Sequence, residues 1–369
     1  MNMKKKFIII IPIWGDYISF FFNLTFKSLL FNGNLNFLNN NANLKIIFCI
    51  KKKEKKIFDN YFLKFEKKFN FQFCFIDQIF DKFDKRRHLH LAYLFAFKFI
   101  KEDHRNVNFL LLTADDFFAS NNFKYLFQLI KKKKDLNLIL ENKILVNEKI
   151  FTKKIKNFLI KKNIEKKELV KLSFLCIDDF SKYSNPFLNK FNYSTYKLLF
   201  NIDNNNKLIR GYLMHPLLIR PKKQITKMKS FFDYYLQPEY VKSFKNIFII
   251  KNSNDFVRVG IANQNIYKNI VYKFEIQKYA NRLSKWVTTY HKKYVFFDTL
   301  FTVKKPNKKK IILVRKRSYD LVKKIDLILK NNSKSHKNHP YWISKNPTTT
   351  SIILANIKKF VIYPLLRFF

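Results

Sequence analysis

Asp115 and Asp116 close an unbroken apolar run, Phe109-Leu-Leu-Leu-Thr-Ala-Asp-Asp-Phe-Phe118. Adjacent carboxylates are hard oxygen donors, suited to Mg²⁺ or Mn²⁺, and such an ion bridges readily to phosphate oxygens. If the run is a buried strand of an open α/β sheet, the pair lies outside its carboxyl end, where ligands bind. The same two residues would also serve as a turn or as the cap of the following helix. His215 is a second candidate, centred in Arg210-Gly-Tyr-Leu-Met-His-Pro-Leu-Leu-Ile-Arg-Pro221. It reads as a metal ligand or phosphate contact, or as a hydrogen-bonded core imidazole. Arg86, Arg87, His88 and His90 cluster ahead of a helical pattern. They read as anion-neutralising groups or as a solvated face.

The elements that must position these groups alternate. Residues 7–13 are a continuous apolar, β-branched run, the pattern of a strand covered on both faces. A helix is expected at 17–31, a strand at 44–50, a Lys-rich helix at 52–68, a strand at 71–76 and a helix at 86–101. The strand 108–113, a helix at 122–133 and a strand at 136–146 follow. Such alternation predicts an α/β fold with a mostly parallel sheet and helices on both faces, because parallel neighbours need long crossovers. Residues 148–200 read as polar and helical. Strands are expected at 207–219, 246–250, 255–259 and 310–315, and helices at 271–286 and 318–330. Residues 331–349 have the composition of a linker.

Leu112-Thr113-Ala114-Asp115-Asp116 resembles the Leu-Asp-Ala-Asp-Asp form of the Asp-x-Asp motif in GT-A glycosyltransferases of the family-two-like, bacterial kind. The resemblance extends to Ile11-Pro12-Ile13-Trp14-Gly15-Asp16-Tyr17 and to the helix Arg86–Phe97, and it covers about the first 140 residues. It implies a GT-A-like, Rossmann-like fold and transfer of a sugar from a nucleotide diphosphate to a glycan or glycolipid acceptor of the surface-polysaccharide type. Asp115 matches the second Asp of the motif and implies a metal and diphosphate contact, with Asp116 and His215 as further metal ligands. Thr113 stands where the first Asp holds the nucleotide. Pro12, Trp14, Gly15 and Tyr17 match the nucleotide-binding turn, and Arg87 would face the departing diphosphate. An inverting transferase needs a carboxylate to take the acceptor proton. Asp233, among aromatics that would raise its pKa, is the candidate, with Asp178-Asp179 and Asp255 as competitors.

The expected partners are a nucleotide-diphosphate sugar, a glycan or lipid-linked acceptor and a divalent cation. The net charge is +47, from 73 Lys+Arg against 26 Asp+Glu. Only ten of the 73 are Arg, and these are scattered. A sequence-specific nucleic-acid reader relies on Arg for bidentate contacts, so no specific nucleic acid is expected; anions in general are. Three widely spaced cysteines indicate neither a disulfide framework nor a zinc site and fit a reducing cytoplasm. His336 and His339, in a loop composition without cysteines, make no zinc site either. The chain divides into residues 1–260 carrying the site, an extension over 261–330, and a linker with a basic amphipathic tail over 331–369. That tail suits an anionic membrane surface on the inner face, or packing on its own domain. Two rival functions stay open: a nucleotidyltransferase, against which the lack of a Gly-rich loop after the first strand counts, and a noncatalytic basic protein on nucleic acid or membrane.

Overall fold

The computed structural model describes residues 4–63, 65, 68–83, 87–227, 239–262 and 271–332. Its strands are β1 (Lys6–Pro12), β2 (Asn43–Ile50), β3 (Phe71–Phe75), β4 (Val107–Leu111), β5 (Asp116–Phe118), β6 (Leu138–Glu141), β7 (Ile144–Asn147), β8 (Lys197–Asp203), β9 (Asn206–Gly211), β10 (His215–Ile219), β11 (Ile247–Ile249), β12 (Arg258–Ala262) and β13 (Asp298–Thr302). Seven form the central sheet, in the order β11-β6-β10-β4-β1-β2-β3. All its pairings are parallel except those of β10, which runs against both β4 and β6. This is the mixed α/β architecture with a mostly parallel sheet expected from the alternation of patterns.

The isoleucine run of β1 shows why the sheet is covered on both faces. Ile9 and Ile11 join a core with Phe22, Phe58, Leu126 and Phe127, from the helices Tyr17–Leu29, Lys55–Phe62 and Asn122–Lys132. Ile8 and Ile10 face the other way, onto Ala92, Tyr93, Ala96 and Phe97 of the helix His88–Phe99. Alternate side chains of a strand point to opposite faces, so a strand buried on both sides must be apolar throughout. Within the helix Tyr17–Leu29, residues 21–25 form a π-helical turn.

Two runs expected as single strands are each split between sheets. Residues 136–146 give β6 in the central sheet and β7 in a second sheet, ordered β5-β12-β7, with Asn142 and Lys143 at the break. Residues 207–219 give β9, in a third, antiparallel sheet ordered β13-β9-β8, and β10 in the central one. Apolar character continues across both breaks because each half is buried, so periodicity cannot mark the change of sheet. The strand expected at 310–315 is helix: Lys308–Asn332 is continuous, its Val322, Ile325 and Leu329 packing on Tyr212 and Tyr279. Strands β5, β8 and β13 were not anticipated. Because β13 pairs with β9, residues beyond 261 complete a sheet begun before them. Among the described residues no helix is long and apolar enough to cross a membrane. The tail and linker lie outside the described residues.

Candidate active site

Strand β1 has β2 on one side and β4 on the other, so the chain's progression through the central sheet changes direction between β1 and β4. Such a switch point opens a crevice at the carboxyl ends of the strands. A cleft of about 380 Å³ lies there. Pro12, Trp14 and Tyr17 line it from the end of β1, and Thr113, Ala114 and Asp115 from the end of β4. His90 and Tyr93 border it from the helix His88–Phe99, and Lys143, Tyr196, His215 and Arg258 from the breaks and strand starts beyond. Seven residues singled out from the sequence thus line one cleft: Pro12, Trp14, Tyr17, His90, Thr113, Asp115 and His215.

The turn after β1 is held in place by a buried acid. Gly15 adopts φ +60, and its N–H donates to Glu54 Oε1 at 2.9 Å. Glu54 also accepts the Lys51 N–H at 3.2 Å. The Trp14 ring meets Phe80 edge-on with centroids 5.2 Å apart, and Tyr17 is 40% exposed at the cleft. Two aromatic rings, one anchored and one open, make a surface on which a planar base can stack.

The two carboxylates of the motif part company. Asp115 stands half-buried at the cleft. Asp116 is fully buried and engaged: Oδ1 accepts from Lys143 Nζ at 2.9 Å, and Oδ2 from Arg258 Nη1 at 2.5 Å and from the Thr113 N–H at 3.0 Å. Arg258 reaches Glu141 with its other terminal nitrogen. Burial opposes the charge on Asp116, yet Arg258 and Lys143 hold its pKa down to about 2. Burial pushes Glu141 up to about 7 against the pull of Arg258. Burial likewise opposes the charge on Arg258, which Asp116 and Glu141 nonetheless hold above the usual arginine value. Both oxygens of Asp116 are thus engaged by cations, and Asp116 as placed does not fit the two-carboxylate metal clamp expected from Asp115 and Asp116. Among the described residues no group of three or more His, Cys, Asp or Glu is gathered as a metal site.

His215 begins β10, paired across from Glu141, and its Nε2 lies 3.2 Å from the Tyr196 hydroxyl. Burial, followed by the nearby charges of Lys143, Arg258 and Lys197, depresses its pKa well below 6.5. The imidazole is neutral at physiological pH. Three nearby cations disfavour a further metal ion beside it, and so weak a base is a poor proton acceptor. It is suited to hydrogen bonding. Lys197 is itself buried, donates to the Lys143 carbonyl at 2.8 Å, and has its pKa lowered by burial to about 8.

The remaining candidates lie apart. Arg87 stacks over Phe83 at 5.5 Å, ahead of the helix His88–Phe99 rather than on the cleft wall. His88 is buried with Nε2 2.8 Å from the Phe83 carbonyl, a packing role. Asp178 caps the short helix Asp179–Lys182 by accepting the Ser181 N–H, while Asp179 and Asp255 are exposed. Arg86, Asp233, His336 and His339 lie outside the described residues. Sequence reasoning missed Lys143, Arg258, Glu141 and Tyr196. The available signal was polar residues interrupting apolar runs, Glu141-Asn-Lys143 and Arg258 within Phe256-Val-Arg-Val259.

No family model and no curated protein matches the chain. Among solved structures, it is similar to residues 1–349 of S. aureus TarS, at 10% identity over 90% of this chain and 75% of that one, with a TM-score of 0.32. Mouse xyloside xylosyltransferase 1, apo form, aligns at 10% identity over 41% of this chain and 58% of that one, TM-score 0.28. A putative glucose-1-phosphate thymidylyltransferase from Bacillus anthracis aligns at 12% identity over 38% and 55%, TM-score 0.26. The chain spans 22% of a longer TarS structure and little more than half of the latter two proteins. Likeness this slight fixes no activity, and the chemistry has to be read from the cleft itself.

Proposed function

We propose that the chain is a transferase acting on a nucleotide-diphosphate sugar, moving the sugar to a hydroxyl of a glycan or glycolipid. The observation that carries this reading is the coexistence, in one switch-point cleft, of an aromatic rim at Trp14 and Tyr17 and a buried cationic wall at Lys143 and Arg258. The rim suits a nucleobase and the wall suits a diphosphate. Departure of the nucleotide diphosphate concentrates negative charge on phosphate oxygens, and fixed cations in a water-poor site stabilise that charge without reorganising. Asp115 borders the same cleft and is available to sugar or acceptor hydroxyls. Asp233 stays the sequence's candidate for taking the acceptor proton where configuration inverts.

A nucleotidyltransferase is less well supported. Attack on an α-phosphate calls for a loop of open backbone amides after the first strand. Here the Gly15 N–H is already committed to Glu54.

Calorimetric titration with UDP, GDP, CDP and ADP and their sugars, with Mn²⁺ and with chelator, tests the reading. One nucleotide diphosphate should bind saturably, and Trp14→Ala should weaken it about tenfold or more, the order of one lost base-stacking contact. Absence of saturable binding to every nucleotide under both conditions overturns it. The same reading places the protein at the inner membrane face, where lipid-linked acceptors and anionic head groups meet a strongly basic chain.

A further inference from the structure

The acid pair was expected to recruit a divalent ion, but the structure has already partnered one member of it. Asp116 is wholly buried, and two cations, Lys143 and Arg258, converge on its two oxygens. The three come from three neighbouring strands. Asp116 is the first residue of β5, Arg258 the first of β12, and Lys143 the residue just before β7, at one end of the three-stranded sheet that abuts the cleft. Glu141, the last residue of β6, reaches Arg258 from the central sheet. Both cations also line the cleft, and each is less than a tenth exposed.

The arrangement has capacity left over. A lysine ammonium has three donors and an arginine five, and Asp116 with Glu141 takes only some of them. The Arg258 Nε–H is buried without a partner among the described residues, and so is the Thr113 hydroxyl at the cleft wall. Unpaired buried polar atoms are costly, and a ligand rich in acceptor oxygens would satisfy them.

Building on the reading above, we infer that Lys143 and Arg258 supply the countercharge for the substrate's diphosphate in place of a divalent cation, with Asp116 as the positioning residue that holds both at the cleft. The substrate oxygens would accept from Lys143 Nζ and from Arg258, while Asp116 and Glu141 keep the two cations from being buried unpaired when the cleft is empty. Thr113, where the motif's first acid would stand, fits this picture. An added carboxylate at that position would compete with the diphosphate for the same cations.

Binding of inorganic pyrophosphate, measured by calorimetry and thermal shift, tests this without knowing the nucleotide. In chelator the protein should bind pyrophosphate, and Mn²⁺ should change the affinity by no more than about threefold, well under one contact's worth. Lys143→Met should weaken binding about tenfold or more, the effect of losing a charge-assisted contact. Because that variant leaves Asp116 short of a partner, the double variant Lys143→Met/Asp116→Asn is the fold control. It should recover thermal stability while pyrophosphate binding stays weakened to the same degree. Recovery of binding in the double variant would show Lys143 to be purely structural and would overturn the inference. Binding that requires Mn²⁺ and is abolished in Asp115→Asn would overturn it too, leaving the transferase reading standing. No binding of pyrophosphate or nucleotide in either condition sinks both.

Discussion

Asp116 illustrates why residue type alone misleads in a basic protein. A carboxylate flanked by an acid is an attractive metal ligand on paper, but a buried carboxylate takes whichever positive partner the fold brings nearest. Breaking a buried ion pair by removing one member costs about 3–5 kcal/mol, because the survivor is left charged and dry. The histidines of the cleft carry the opposite lesson. Burial depresses His90 to about 3 and His215 well below its ordinary 6.5. The unfolded chain takes up these protons near pH 6.5 and the folded chain does not, so the stability associated with them is full above pH 6.5 and lost as pH falls toward the folded values. Glu141, raised from 4.5 to about 7, acts in the reverse sense, its contribution complete below pH 4.5 and lost as pH rises through 7. Urea midpoints between pH 6.5 and 4 should therefore decline less in His90→Gln and His215→Gln than in the parent. An unchanged decline would mean that both imidazoles are charged in the folded protein.

At the scale of elements, the break between β6 and β7 decides where Lys143 stands. Asn142 is pinned there by donating to Thr299 Oγ1 at 3.0 Å, and Gly211 lies against it. A Cβ on Gly211 would come within 2.4 Å of Asn142 Oδ1 and 3.2 Å of the Leu213 carbonyl. Gly211→Ala should thus push on the β6–β7 break, destabilising the fold by about 1–3 kcal/mol, typical of overpacking, and weakening pyrophosphate binding although residue 211 does not line the cleft. Retention of both properties would show that the break yields freely. The turn after β1 is a second such device: Gly15 takes a left-handed φ with open space around it, and Glu54 supplies the restraint that orients Trp14.

For the whole molecule, a net charge of +47 creates a field that attracts any polyanion. The charge concentrates in exposed lysines, whereas the cleft's cations are buried and matched by acids. Binding to arbitrary duplex DNA should accordingly fall steeply with salt, by roughly 10³-fold or more between 50 and 200 mM, as counterion release dictates. Pyrophosphate binding, drawn into a site of fixed buried charges, should fall far less over the same range. Salt-resistant DNA binding would instead favour a nucleic-acid protein. The likeness to TarS and to the xylosyltransferase does not bear on this choice; a salt titration does.

The local patterns carried much of the architecture. The doubly buried isoleucines of β1, the amphipathic helices between β1, β2, β3 and β4, and the strand that delivers Asp115 all follow from apolar periodicity, because strands and helices expose different repeats to a core. Trp14, Thr113 and Asp115 were legible for the same reason, each at or just after the end of such a run, whereas His215 stood at the centre of a run expected as one strand over 207–219 and only the tertiary structure puts it at the start of β10. What only the tertiary structure decided is which runs split between sheets and what meets at the splits. Lys143 and Arg258 are 115 residues apart in sequence, and no periodicity relates them. They become neighbours of Asp116 because β5, β12 and β7 pair side by side, and strand pairing between distant segments is set by the packing of the whole core rather than by any one of them.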